Sequence, residues 1–223
     1  MAMKDLRTER KRKREENNRL FILDAAEDVF AQKGYTLATM DDIAKKAQFS
    51  KATLYRYFEG KRDILFEIVL NSFEEATQGL RKIAGKKVSA KKKLKEIIRF
   101  VLKHFQKKKN ISRVFLMERS LINVLFQSNP EEHRPFTEEE KKFLDEIRRK
   151  KEEMLGLLCR VFEEGISAGE FRNTDSRDAA HAFEAMFHGF YFTKFWYENE
   201  YSLESATRLI HEFFFYGIRN IDE

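Results

Sequence analysis

Residues 39–61 read Thr-Met-Asp-Asp-Ile-Ala-Lys-Lys-Ala-Gln-Phe-Ser-Lys-Ala-Thr-Leu-Tyr-Arg-Tyr-Phe-Glu-Gly-Lys. This pattern leaves little choice of local fold. Thr39 is a good helix N-cap, and Asp42 three positions on can reach back to close a capping box. Asp41 and Asp42 favour the positive end of that helix. Ile43, Ala44 and Ala47 give it a small apolar face. Gln48-Phe49 makes a turn, and Ser50 caps a second helix running to about Phe58. Leu54 and Phe58, four apart, face inward together. The remaining arc carries Ala52, Thr53 and Arg56, flanked by Tyr55 and Tyr57. Two short helices joined by a tight turn form a helix-turn-helix, whose second helix enters the DNA major groove.

The exposed arc suits that task. Ser50, Lys51 and Thr53 lie where backbone N–H groups point at anions. Ala52 is small enough for close backbone approach. Tyrosine hydroxyls and cationic heads bond phosphate oxygens, and Lys or Arg can read guanine edges. Lys61 opens the next helix as an expected phosphate contact. Alone, two capped helices also fit a plain helical hairpin with Tyr55, Tyr57 and Phe58 in its core.

The segment resembles the signature of TetR-family transcriptional regulators. That pattern has Thr before the second helix, Ile-Ala, a turn ending in Ser, Leu-Tyr-x-His/Tyr-Phe, and Lys three residues beyond the Phe. Here stand Thr39, Ile43-Ala44, Ala47, Ser50, Thr53-Leu54-Tyr55, Tyr57-Phe58 and Lys61. Upstream, Ile22, Ala25, Ala26, Phe30 and Gly34-Tyr35 are similar to the family's first helix. The match covers about residues 19–70. Gln48 departs from it, standing where a turn glycine is usual; Ala52 and Phe49 replace a frequent Gly and Val. The resemblance implies DNA contact at Thr39, Ser50, Lys51, Thr53, Tyr55, Arg56, Tyr57 and Lys61. Tyr55, Tyr57 and Lys61 would anchor phosphates, and Lys51 and Thr53 would reach base edges.

Composition sets the rest of the frame. With 2 prolines and 9 glycines in 223 residues, many tight β-turns are excluded. Long stretches instead repeat at helical spacing, so an all-α fold is expected. With the resemblance, it would comprise a basic flexible arm (1–18), a three-helix DNA-binding domain (19–65) and a larger helical domain (66–223) that the resemblance assigns to effector binding and dimerisation. The single Cys159 sits in an apolar helical pattern and can form neither an intrachain disulfide nor a cysteine metal cluster. The charged N-terminus is no signal peptide, no apolar run spans a membrane, and a cytoplasmic location is expected.

Charge is unevenly placed. Residues 1–62 hold 15 Lys and Arg against 10 Asp and Glu. Arg10-Lys11-Arg12-Lys13-Arg14 can lie along phosphates or enter a minor groove; the bland alternative is a solubilising tail. Residues 81–109 hold 13 Lys and Arg and one acid, Glu96. A solvated surface is the default for such a run. Proximity to flanking DNA, or attraction of an acidic effector such as a coenzyme A thioester, are the alternatives.

Beyond Lys61 the chain reads as helices over about 61–83, 90–108, 112–127, 137–167, 176–198 and 202–220. Thr137 to Glu140 is a second capping box. Arg148/Glu152 and Arg149/Glu153 are spaced as i,i+4 pairs. The last two helices carry aromatic residues on more than one face, which calls for a second partner surface. In the resembled family these helices form the dimer interface, so a homodimer through Phe195, Trp196, Phe213 and Phe214 is expected. A two-fold dimer would present two recognition helices about 34–36 Å apart, matched to a pseudo-palindrome.

Family members bind effectors between the C-terminal helices. Candidate lining residues are Phe100, Phe105, Phe115, Met117, Phe126, Met154, Phe187 and Tyr191, with His104, Glu118, Asn123 and His188 as polar guides. Ordinary core is the alternative for each. Such a lining suits a hydrophobic ligand. His181, Glu184 and His188 share a helix face but are too few for a metal site, so no metal or cofactor is expected. No nucleophile–base pair or glycine-rich phosphate loop points to an enzyme. The expected function is a DNA-binding transcriptional regulator, a repressor released from its operator by a small hydrophobic effector. An effector-independent architectural DNA-binding protein is the competing reading.

Overall fold

The computed structural model describes residues 2–107, 137–192 and 201–218, with side chains from Arg7 onward, excluding His188, 190–192, Gly217 and Ile218. Among these residues the chain is all-α: α1 (Ala2–Lys33), α2 (Met40–Ala47), α3 (Lys51–Tyr57), α4 (Lys61–Ala84), α5 (Ala90–Lys107), α6 (Glu138–Ser167), α7 (Ser176–Phe192) and α8 (Leu203–Ile218). Two units are distinguished, and the division falls after Asn71, inside α4. The expected helix over 112–127 lies outside the described residues.

In the first unit, Ile22, Ala26, Val29 and Phe30 of α1, Ile43 and Ala44 of α2, Leu54 of α3, Phe58, and Ile64, Leu65 and Ile68 of α4 are all buried. Residues 2–18, expected as a flexible arm, are instead the first half of α1. The physical reason is local. The segment lacks Gly and Pro, is rich in straight-chain Lys, Arg and Glu, and joins a core-anchored helix without a break.

Both expected capping boxes form. Thr39 Oγ1 accepts from Asp42 N at 3.1 Å, and Thr39 N donates to Asp42 Oδ2 at 3.1 Å. Thr137 and Glu140 do the same for α6. After α2, Gln48 takes the left-handed conformation at φ 58°. Phe49 N donates to Ala44 O and Gln48 N to Lys45 O, the paired bonds of a Schellman ending.

The second unit is built around Phe162 of α6. Its ring lies 5.9 Å from Phe171, 6.0 Å from Phe183 and 5.7 Å from Phe214. Gly165 admits the Phe171 ring, because a Cβ there would sit 2.2 Å from it. Gly79 likewise makes room on α4 for Phe100 of α5. Glu170 caps α5 across the unit, accepting from Ala90 N at 3.2 Å and Lys91 N at 2.9 Å.

The ion pairs of α6 differ from the expected i,i+4 set. Arg148 pairs with Asp145 and Arg149 with Glu146, each an acid one turn N-terminal to its base. Glu152 and Glu153 are taken by arginines of other helices, Arg177 and Arg81. Buried Lys93 and Lys150 each reach a carboxylate, Glu164 and Glu74, as burial of a charge requires.

Candidate nucleic-acid interface

α3 begins where Ser50 Oγ accepts from Thr53 N at 3.1 Å. Ser50 Oγ and Thr53 Oγ1 also share a hydrogen bond of 2.8 Å. Only one hydroxyl hydrogen is used in that contact, so the pair keeps one for a further acceptor. Lys51, Ala52, Tyr55 and Arg56 are exposed, Tyr55 at 48 %, while Leu54 is fully buried. One arc of α3 therefore enters the core and the opposite arc is open, as the sequence reading expects. Tyr55 is not a core residue, which removes the plain-hairpin alternative for it.

Lys51 Nζ lies 2.8 Å from Asp41 Oδ1, and this contact raises the Lys51 pKa. Asp41 sits on the same open surface, so it restrains Lys51 until an anion competes for it. Thr39 is exposed, but its donors are spent. Its hydroxyl donates to Asp42 Oδ2 at 2.8 Å and its N–H to the same oxygen. Lys33 and Thr39 together hold the Asp42 carboxyl down to about 2. Thr39 is thus a cap with no hydrogen left for a phosphate.

Lys61 departs furthest from expectation. Its ammonium donates to Tyr35 O at 2.8 Å, Thr36 O at 2.9 Å and Ala38 O at 3.1 Å, and sits 4.7 Å from the Tyr35 ring centre. An ammonium has three hydrogens, and three carbonyls take them. Without DNA the Lys61 ammonium clamps the loop between α1 and α2, and the expected phosphate contact would compete with these three carbonyls. Spacing alone could not reveal this, because the acceptors lie 23 to 26 residues away.

Tyr57 is half-buried and held from two sides. Asn18 Nδ2 donates to its hydroxyl at 3.1 Å and Arg56 NH2 at 3.4 Å. Both contacts, Asn18 first, lower its pKa. A phenol that accepts twice keeps its own hydrogen to donate. Arg19 completes the support. It donates to Tyr57 O at 3.1 Å, lies 4.4 Å from the Phe58 ring centre and forks onto Glu67. Asn18, Arg19 and Glu67 carry no sequence signal of this role.

The candidate effector residues divide. Phe100, His104 and Phe105 come together on α5: Phe100 and His104 are stacked at 6.0 Å, and His104 Nε2 meets Ser72 Oγ at 3.1 Å. Met154 packs against the core, and Phe187 is buried against Phe183 at 4.8 Å. Phe115, Met117, Glu118, Asn123 and Phe126, and the side chains of His188 and Tyr191, lie outside the described residues. His181 Nδ1 is 3.9 Å from Glu184 Oε2, and no group of three possible metal ligands occurs among the described residues.

Of the expected dimer contacts, Phe195 and Trp196 lie outside the described residues. Phe213 is 76 % exposed. Phe214 is buried, packed on Phe162 and Phe183, and belongs to the core of its own chain. On a helix adjacent positions face apart, so only one of the pair can be outward. Among the described residues no helix is long and apolar enough to cross a membrane.

The pattern described as bacterial regulatory proteins, tetR family, matches residues 22–68. The fatty acid metabolism regulator protein of Bacillus subtilis is 30% identical over 154 residues, covering 68% of this chain and 69% of that one. The negative transcriptional regulator of the biofilm operon icaADBC, IcaR, from Staphylococcus aureus is 42% identical over 53 residues, covering 24% of this chain and 28% of that protein. The structure of the transcriptional regulator FadR from Bacillus subtilis in complex with stearoyl-CoA superposes with a TM-score of 0.69 at 26% identity, covering 90% of this chain and 99% of that one. A recognition helix capped by Ser50, open on one arc and carried in a likeness that spans two-thirds of a known regulator, makes this protein a DNA-binding transcriptional regulator that belongs to the tetR family.

Proposed function

We propose that the protein is a homodimeric repressor that reads a pseudo-palindromic operator through α3 and lets go when a long-chain acyl-coenzyme A binds its helical unit. The observation that carries DNA reading is the open arc of α3, with Lys51, Ala52, Tyr55 and Arg56 exposed on a helix whose other side is core. Lys51 and the free hydroxyl of the Ser50–Thr53 pair sit at the helix N-terminus, where base edges are reached. Tyr55 and Tyr57 supply phosphate-directed hydroxyls.

Dimerisation is supported by α8. Leu209, Phe213 and Tyr216 are 44 %, 76 % and 60 % exposed and recur at i, i+4 and i+7. An apolar stripe of that kind is what a partner surface covers.

The effector class rests on two features. The relatives include a fatty acid metabolism regulator and a regulator bound to stearoyl-CoA. On this chain, α5 exposes Lys91, Lys92, Lys95, Arg99 and Lys103, suited to the phosphates of a coenzyme A headgroup. Phe100 and Phe105 on the same helix pack beside the apolar core. The effector must favour the released state over the bound one, or it shifts nothing.

The test is fluorescence anisotropy of a labelled operator duplex, titrated with stearoyl-CoA, free coenzyme A and stearate. Release by stearoyl-CoA alone supports the proposal. No release by any of the three would favour an effector-independent DNA-binding role.

A further inference from the structure

The N-terminal half of α1 is a second DNA-contacting element, a rigid cationic rail; we infer that it tracks the phosphate backbone flanking each operator half-site. The inference rests on α3 being the operator-reading helix and extends it.

Five consecutive cations in a coil have no face, but in a helix they do. α1 runs unbroken from Ala2 to Lys33. At 3.6 residues per turn, Arg7, Arg10, Lys11 and Arg14 fall at i, i+3, i+4 and i+7, one stripe. All four are exposed. One turn further along, the same stripe reaches Asn18, whose amide meets Tyr57 at the end of α3. The cationic face is therefore the face that α1 turns toward the end of the recognition helix.

The reverse face carries both signs of charge. Arg12 and Lys13 share it with Glu9 and Glu16, each cation three or four residues from both acids. Such spacings place opposite charges side by side. Glu15 borders the stripe, lies 4.0 Å from Lys11 and also acts on Tyr57. On the side continuous with the α3 surface, Arg7, Arg10 and Arg14 have no acid three or four residues away, and only Lys11 of the four is so placed. Arg7 to Arg14 spans about 10 Å of helix at about 1.5 Å per residue. That is about three phosphates of one strand at about 3.4 Å each. A duplex continuing past the half-site is an occupant of matching charge and repeat. A straight helix with exposed guanidinium and ammonium heads fits backbone contact rather than entry into a minor groove.

The test uses the full-length protein and the duplex it enriches from random DNA. Arg10→Gln/Arg14→Gln on the stripe is compared with Arg12→Gln/Lys13→Gln on the reverse face, an equal change of charge. The stripe pair should lower the slope of log K against log salt by about 0.9 for each lost phosphate contact, about 2 per chain. It should also erase hydroxyl-radical protection outside the inverted repeat, and the reverse-face pair should do neither. Equal effects from both pairs, or none from either, would overturn the rail. Glu16→Gly/Asn17→Gly keeps every cation but breaks the helix, and should weaken flank protection; unchanged protection would also overturn it. A wild-type protein that protects flanks but not the repeat would instead mean that the reading of α3 is at fault.

Discussion

Lys61 is engaged by its own chain in a way that its residue type does not reveal. A lysine at the start of a helix beside a DNA-reading unit invites a phosphate role, yet all three of its hydrogens meet backbone carbonyls. Lys61→Met should cost about 2 kcal/mol of stability, the scale of lost charge-assisted bonds. It should weaken operator binding while leaving the salt slope unchanged. A slope reduced by about 0.9 would restore the phosphate role. Gln48 is the opposite case, legible from the sequence because a turn glycine was missing there. Its φ of 58° makes it the one non-glycine with positive φ among the described residues. Gln48→Gly is expected to gain about 0.5–1 kcal/mol in denaturant titration, and a branched replacement to lose at least as much. Local signals of this kind, caps and turn residues, reach only four or five positions. Asn18 on Tyr57 and Arg19 on Glu67 span 39 and 48 residues, and nothing in a single sequence marks such pairs.

At the scale of elements, helical spacing and caps placed α2 to α6 within a residue or two of where they fold. The arm was the exception. Its charge suggested a tail, whereas continuity with a buried helix lets it propagate as helix. Faces were harder to assign than spans, as the neighbours Phe213 and Phe214 show. On α8, His211 stacks on Phe215 at 5.6 Å, and its Nε2 is buried with no partner among the described residues. Burial, then Lys95 and Lys91, push its pKa below the ordinary 6.5, while Glu212 opposes them. The unfolded chain therefore binds the proton more readily than the folded one. This contribution to stability is complete above about pH 6.5 and declines as pH falls through that value. Thermal melts from pH 8 to 5 should show the decline, and His211→Phe should flatten it. Stability that rises on acidification in the wild type but not in the variant would refute the assignment.

At the scale of the whole molecule, the account requires two copies. Phe213→Glu should shift the protein toward monomer in sedimentation velocity while its helix content is kept. Phe214→Glu should instead damage the fold of each chain, because a charge would enter the Phe162–Phe183 cluster. A Phe213→Glu protein that stays dimeric would place the partner surface elsewhere. The DNA-reading end was legible because its chemistry is local and its capping geometry strict. The effector end was not, since apolar helices of many sequences fill a core equally well.

The central claim, that the open arc of α3 reads sequence, is tested most directly by selecting bound duplexes from random DNA at about 150 mM salt, with Tyr55→Ala/Arg56→Ala as the control. Enrichment of a single inverted repeat, lost in the control, is the predicted result. Binding of comparable strength with no enriched motif, or a motif unchanged in the control, would contradict it.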